Sequence, residues 1–470
     1  MAGIEREVAN MAGIESIGVH IPRYRLARTV IASMWGGHGK GGERSVANYD
    51  EDAVTMAVTA AEQCLHGVDR SSIDMVILAS TTLPYAEKQC AAIVAEALDL
   101  PTKIDTLDVA SSLRAGTQAL RVGLNALASG ARRVLVVVAD LRKSEAGSRT
   151  EPEMGDGAVA VLLGPDSVVD LRNLSSEYDT TMNRWRLQGD DFVRQGDERF
   201  TSKILFQDGV AAAIKQALSG AGLTPAQIQR IAVSGSDHRA SVAAAIAGGF
   251  KAAAVTGEAV YAKAGHCGAA TGLLNLVAGL EQAAAGETVL LANYGDGTDV
   301  LLATAKSAQP IGSPLTAALT NGRPLQYAHF LRFKNLVETE SVYPYTSEIS
   351  IWRDAKYLMR LHGPRCNNCG AIQYPPRRIC YKCKTKDQFT EVQLAKQGKL
   401  FTYTVEHLFP SPDNRLITGV VDLADGARLF TQITDTEPEE MQIGMDLRLT
   451  FRVLHKGGGF YQYFWKAIRQ

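Results

Sequence analysis

Cys366, Cys369, Cys380 and Cys383 form two Cys-x-x-Cys pairs about ten residues apart. Two such turns place four thiolates at the corners of a tetrahedron, the arrangement that structural Zn(II) prefers. Gly370 follows the first pair, where the backbone has to turn back beneath a metal. Pro375 and Pro376 stiffen the path to the second pair. A disulfide reading is weaker, because nothing else in the chain has a secreted character. Four sulfurs leave a metal no open position, so such a centre organises a module and performs no reaction. Chemistry must come from elsewhere. Three further cysteines, Cys64, Cys90 and Cys267, suit a reducing compartment. Cys64 and Cys90 fall in helical stretches and read as small packing residues.

The elements that position these residues follow from patterning. A chain of 470 residues is expected to hold two or three domains. A net charge of −1 calls for neither nucleic acid nor an anionic membrane as partner. No apolar run reaches membrane-spanning length, and the N-terminus lacks the basic and apolar regions of a secretory signal. A cytoplasmic protein is expected. Met1-Ala2-Gly3-Ile4-Glu5 recurs as Met11-Ala12-Gly13-Ile14-Glu15, so residues 1–10 read as an extension.

From Ile14 to about Ala305, short apolar runs alternate with Ala-rich amphipathic stretches. Met75–Ala79, Val134–Val138 and Val289–Ala292 are such runs, the mark of strands buried on both faces. The halves, about 11–165 and 166–308, echo each other at an offset of about 155 residues. Ile73–Leu78 matches Ile228–Val233, and Leu127–Leu135 matches Ala283–Leu290. A duplicated α/β unit brings matched loops together: 81–85 with 236–240, and 110–116 with 265–271. Residues 309–360, broken by prolines, read as a linker with docking helices, one over Tyr327–Val337. The ribbon is expected over 361–386. Five short strands over 387–470, with turn residues such as Asp425-Gly426, predict a small barrel. From Leu361 onward 15 Lys and Arg face 11 Asp and Glu, and four metal-bound thiolates offset part of that excess. This is no polyanion-binding surface.

The tail, through Arg365-Cys366-x-x-Cys369-Gly370, Tyr374-Pro375-Pro376-Arg377, Cys380-x-x-Cys383 and Gly398-Lys399-Leu400-x-Thr402-Tyr403-Thr404, resembles the zinc-ribbon plus OB-fold proteins called DUF35. The body resembles archaeal-type hydroxymethylglutaryl-CoA synthase, within the thiolase and ketosynthase superfamily. Ile21-Pro22-Arg23-Tyr24-Arg25, Asp50-Glu51-Asp52-Ala53, Ala115-Gly116-Thr117 and Gly155-Asp156-Gly157-Ala158 carry the likeness by order and spacing. The resemblance implies a duplicated thiolase-like layered α/β fold, a homodimer paired through that domain, and a CoA thioester as substrate.

At the catalytic positions the chain departs from the family. Where the synthase has Ala-Cys-Lys-Ala-Gly-Thr, this chain has Ser112-Leu113-Arg114-Ala115-Gly116-Thr117, and a leucine forms no acyl-thioester. Where the synthase has Ser-Glu-Ser-His-Pro-Tyr, this chain has Ser80-Thr81-Thr82-Leu83-Pro84-Tyr85, without the glutamate base. His238, in Asp237-His238-Arg239-Ala240-Ser241, resembles the ketosynthase III histidine, and Gly265-His266-Cys267-Gly268 resembles the Gly-His-x-x-Gly segment of thiolases. By resemblance, His238 and His266 hold the thioester oxygen as it becomes an enolate. Tyr294, in a Gly-rich loop, and Cys267 are the candidates for handling a hydroxyl proton. These features favour aldol or retro-aldol chemistry on a 3-hydroxyacyl-CoA, which needs no acyl-enzyme. The alternatives are a Claisen-type acyltransferase using Cys267 and a noncatalytic subunit that binds acyl-CoA or scaffolds a partner.

Overall fold

The computed structural model describes residues 13–39, 41–338 and 346–470, so the expected 1–10 extension lies outside them. They fall into two compact units. The first comprises residues up to 47, 56–95 and 100–327; the second comprises 48–55, 96–99 and 328–470.

The first unit is built on a nine-stranded sheet. Its strands in chain order are β1 (Gly13–His20), β2 (Met75–Ala79), β3 (Asp105–Val109), β4 (Val134–Leu141), β5 (Asp156–Gly164), β6 (Val169–Tyr178), β7 (Arg230–Val233), β8 (Thr288–Tyr294) and β9 (Gly297–Ala305). The spatial order is β7-β8-β9-β6-β1-β5-β4-β2-β3. Read outward from the centre, β1-β5-β4-β2 and β6-β9-β8-β7 are the same motif twice. β2 runs parallel to β4 with Met75 opposite Val134, and β7 parallel to β8 with Arg230 opposite Val289. β4–β5 and β8–β9 are antiparallel hairpins, and β1 meets β6 antiparallel at the join. The second half has a single parallel bridge, Ile231 to Val255, on the flank where β3 sits in the first. The duplication expected from the 155-residue echo is therefore present strand by strand.

Two matched helices cover one face of the sheet, Ala115–Ala128 and Thr271–Leu280. Every residue of the second is buried, so it has no solvent-facing polar side; its one amide, Asn275, donates to Val233 O at 3.0 Å. Gly116 and Gly272 allow close packing around these helices. A Cβ on Gly116 would sit 3.2 Å from Leu273 Cδ1 on the other helix, and one on Gly272 would sit 2.5 Å from Asn293 Oδ1 on β8. Of the expected linker, helix Pro314–Thr320 belongs to the first unit and ties Glu281 to the amides of Leu315 and Thr316. The expected helix from Tyr327 ends at Phe333. No helix among the described residues is long and apolar enough to cross a membrane.

In the second unit, β10 (Gln397–Glu406), β11 (Leu416–Leu423), β12 (Arg428–Ile433), β13 (Asp446–Gly457) and β14 (Phe460–Arg469) close a barrel in the order β10-β11-β12-β14-β13. All five expected strands are present. Gly426 at φ +87° makes the tight β11–β12 turn. Trp465, Phe451 and Leu400 fill the interior. Two cations are buried there as well. Arg452 lies 3.1 Å from Asp50 and Glu51 and 2.6 Å from Asp435, while Lys466 lies 2.9 Å from Asp50. Asn48 and Tyr463 complete the network with bonds to Asp435 and Asp52. This pairing explains why residues 48–55 belong to the second unit despite their place in the sequence. Two buried cations need carboxylates, and Asp50 and Glu51 supply them.

Removing one member of a buried ion network strands the others. Arg452→Met should cost about 3–5 kcal/mol in urea unfolding, followed by the fluorescence of buried Trp465. Lys399→Met, which breaks an exposed pair with Asp446, should cost under about 1 kcal/mol. Equal losses would contradict the role given to the network.

Candidate active site and metal centre

The carboxyl ends of β2 and β4 begin the site. β4 ends in Ala139-Asp140-Leu141, and Asp140 is fully buried. Its oxygens accept from the Ser80, Thr81 and Thr82 hydroxyls at 2.8–2.9 Å, and from the Thr81 and Ala269 amides at 2.7 Å. One carboxylate thus ties the loop after β2 in the first half to the 265–270 loop of the second. Only glycine fits at 268: φ is +56°, and a Cβ would meet Asp140 Oδ2 at 2.1 Å.

That loop presents His266. Its backbone is clamped on both sides: its N–H donates to Glu153 O at 2.7 Å, and its C=O accepts from Gly155 N–H at 3.0 Å. Nδ1 accepts from the Gly268 N–H at 3.2 Å, which assigns the ring proton to Nε2. Burial, and then the nearby Arg184 and Arg142, hold the imidazole well below its usual range, so it is neutral at pH 7. The ring lines a cavity of about 310 Å³ together with Leu113, Tyr294, Glu153, Arg184 and Asn183. Burial pushes the Tyr294 phenol up to about 12, which keeps it a proton donor. Its ring packs edge-on against Phe206, with centroids 5.4 Å apart. Burial also raises Glu153 above the ordinary carboxylate range, although Arg184 opposes the shift.

Leu113 stands at the junction of this cavity and a second, of about 540 Å³, lined by Thr81, Ser111, Arg142, Arg184 and Arg186. Its loop is held by Arg114. The guanidinium donates to the carbonyls of Gly295, Glu177 and Asp296 at 2.6–2.9 Å and pairs with Asp299 at 3.1 Å. Gly295 permits the approach, because a Cβ there would lie 2.7 Å from that of Leu113.

Of the four expected site residues, the structure brings His266 and Tyr294 together on one cavity. Cys267 is fully buried and lines neither cavity. Burial, and then Asp156, push its thiol up to about 12, so it is no thiolate at neutral pH. His238 opens the helix His238–Ala247 and is not on the cavity wall, where its neighbours Ser236 and Ala240 are. Asp237 caps that helix by accepting from Ala240 N–H at 2.8 Å, and the His238 ring lies beside Tyr261 instead. Asp140, Arg142, Arg184 and Glu153 went unnoticed in the sequence. The one local signal was Asp140 and Arg142 directly after a long apolar strand run.

In the second unit, strand His362–Cys366 pairs antiparallel with Phe389–Gln393. The two Cys-x-x-Cys turns bring all four Sγ atoms within 4.8 Å of one another. Cys366–Cys383 and Cys369–Cys380 are each 3.6 Å apart. Tetrahedral Zn–S bonds of about 2.3 Å require sulfurs about 3.8 Å apart, so the set fits zinc. Gly370 takes φ +72° at the turn, as expected.

Comparison with known proteins agrees with both units. Residues 353–387 match the model of the ChsH2 rubredoxin-like zinc ribbon domain, and 391–452 that of the ChsH2 C-terminal OB-fold domain. A DUF35 domain-containing scaffold protein of Methanocaldococcus jannaschii is 38% identical over 110 residues, covering 23% of this chain and 78% of its own. Hydroxymethylglutaryl-CoA synthase of Methanocella arvoryzae is 26% identical over 345 residues, covering 70% of this chain and 99% of its own. Among solved structures, an HMG-CoA synthase complexed with CoA superposes with a TM-score of 0.62 at 19% identity, covering 72% of this chain and 95% of that one. A 3-oxoacyl-(acyl-carrier-protein) synthase III from Aquifex aeolicus gives 0.55 at 20%, covering 62% and 99%. The chain is thus a fusion of an HMG-CoA synthase-like, thiolase-fold region with a zinc-ribbon and OB-fold tail. Through that tail it belongs to the DUF35 family.

One zinc per chain is expected by metal analysis. Cys380→Ser should lose it and destabilise the second unit, since folding of so small a ribbon is coupled to the metal. Wild-type protein prepared without chelator and found free of zinc would overturn the assignment.

Proposed function

We propose that the thiolase-fold region acts on CoA thioesters and cleaves or forms the C2–C3 bond of a 3-hydroxyacyl-CoA. The observation that carries this reading is the shared cavity: a neutral imidazole N–H, a protonated phenol and a carboxylate face it, and a leucine stands at the nucleophile position. In the cleavage direction Glu153 takes the proton of the 3-hydroxyl. The C2–C3 bond breaks, its electron pair passes into the thioester as an enolate, and C3 becomes a carbonyl. His266 Nε2–H donates to the enolate oxygen, an effect worth several kcal/mol in a dry site. Tyr294 O–H donates to the oxygen on C3. Glu153 then returns its proton to C2, so the enzyme ends as it began. Asp140 acts through the 265–270 loop and positions His266 without touching substrate.

A Claisen-type transfer through Cys267 draws support from the synthase names of the relatives. Against it stand the burial of the thiol and its raised pKa. A noncatalytic acyl-CoA-binding or scaffolding role draws support from the scaffold protein that matches the tail. Two-fold pairing of the thiolase-fold region is part of the same proposal.

Both aldol cleavage and α-proton exchange pass through the enolate, so a panel of acyl-CoAs in heavy water tests the site before the substrate is known. His266→Ala should slow exchange by roughly a hundred- to a thousand-fold, from a loss of about two to four kcal/mol. Equal exchange by wild type and variant would remove His266 from the mechanism. Intact-mass analysis after incubation with acetyl-CoA should show no adduct on the chain, and an adduct mapped to Cys267 would establish the Claisen reading instead.

A further inference from the structure

The cavity of His266 carries a fixed cation beside its two acid–base groups. Arg184 lies on the short strand Arg184–Trp185, which pairs antiparallel with Arg194–Gln195. Its side chain is 10% exposed and lines the cavity together with His266 and Glu153. Its Nη2 lies 3.8 Å from Glu153 Oε2, and among the described residues this is the one ion pair that Glu153 makes. Glu153 and His266 are themselves neighbours: the His266 N–H donates to Glu153 O at 2.7 Å, and Met154 bridges to His266. One guanidinium thus acts on both groups. A desolvated carboxylate without a cation takes up a proton, and an imidazole beside a cation gives one up. The same charge favours a carboxylate at 153, able to act as base, and a neutral imidazole at 266, able to donate through Nε2–H.

The other charges around Glu153 do not replace Arg184. Arg28, from helix Arg28–Met34, directs its donors to Pro152 O at 3.0 Å and to Tyr261 O, and it favours the carboxylate less than Arg184 does. Arg149, on the loop of Glu153, pairs with Glu198. Asp237 and Glu198 are like charges and push Glu153 towards the protonated form. Arg142 acts on His266 from the second cavity and adds to the effect of Arg184 there.

We propose that Arg184 is a positioning residue for the acid–base step: paired with Glu153 and lining one wall with His266, it holds the first as the carboxylate that takes a proton and the second as the neutral N–H donor. It touches no reacting atom. The proposal rests on the reading that Glu153 and His266 act on an acyl-CoA thioester, and it names what sets the pH range in which that site works. The consequence is one-sided. Glu153 has to be ionised and His266 neutral, so both govern the acid limb of the pH profile. Loss of the cation lets both bind protons at higher pH, and the acid limb moves up. The basic limb belongs to Tyr294, whose phenol, raised by burial to about 12, responds to Asn183, Asp179 and Asp296 and not to Arg184.

The test follows α-proton exchange of acetyl-, propionyl- and 3-hydroxybutyryl-CoA in heavy water against pH, on the full-length chain, with folding checked by circular dichroism at each pH. In wild type the acid limb should lie below about pH 6.5, the ordinary imidazole value, a result that needs no variant. Arg184→Met should move that limb up by roughly one pH unit. Exchange on the limb then falls roughly tenfold at a given pH and recovers as the pH rises. Arg184→Lys, which keeps the charge, should leave the limb near its wild-type place. A wild-type limb at or above the imidazole value overturns the proposal. So does an Arg184→Met profile that is unchanged, or lowered equally at every pH, since the arginine then serves the fold alone. A limb moved as far by lysine as by methionine overturns it too, because charge is then not the cause. Each of these outcomes leaves the acyl-CoA reading standing. Wild-type protein that exchanges none of the three esters overturns that reading and the role of Arg184 together.

Discussion

The grip of Arg114 on the far half of the duplicated fold is the constraint on which the site depends. Its side chain leaves the first-half loop that carries Leu113 and ends on Gly295, Asp296, Glu177 and Asp299, all from the second half. Asp299 in turn accepts from Thr117 at 2.5 Å and Ser176 at 2.6 Å, so the cation is embedded in a satisfied network. A lysine could not make these bonds, because it lacks the fork that reaches several carbonyls at once. The cavity wall is the place where two copies of one motif are pinned face to face.

Asp140 does the complementary work on the other side of the cavity. It welds the loop after β2 to the loop bearing His266, and the glycine at 268 is the condition for that contact. The imidazole that results is neutral because of burial and neighbouring arginines, and the Gly268 N–H fixes its tautomer. On the proposed reading, a site built this way would stabilise negative charge on a thioester oxygen without a covalent intermediate. Leu113 is compatible with that chemistry and incompatible with an acyl-enzyme.

Much of the fold was legible because its signals are local. Buried strands of a sheet covered on both faces read as continuous apolar runs, and duplicated runs at a fixed offset read as a duplicated sheet. The four cysteines were legible because ligand spacing is itself the signal. His266 and Tyr294 came from family resemblance and meet on one cavity. His238 does not join them, since the Asp237 cap starts a helix there and turns Ser236 and Ala240, not the imidazole, to the wall. Arg142 showed only as an arginine just after a long apolar strand run, and Arg184 left no trace, because a lone arginine has no spacing to betray it. Nor did the sequence tell that Asp50 would neutralise Arg452 and Lys466, some four hundred positions away. Such pairings are made by tertiary folding and carry no periodic pattern.

The central claim is that His266 Nε2–H is the donor to a thioester oxygen beside an unreactive Leu113. A crystal structure of the full chain with a non-hydrolysable acyl-CoA analogue tests this most directly. The account predicts the carbonyl oxygen of the analogue about 2.7–3.2 Å from His266 Nε2, with the acyl chain in van der Waals contact with Leu113. An analogue bound with its carbonyl away from His266, or seated against Cys267, would contradict it.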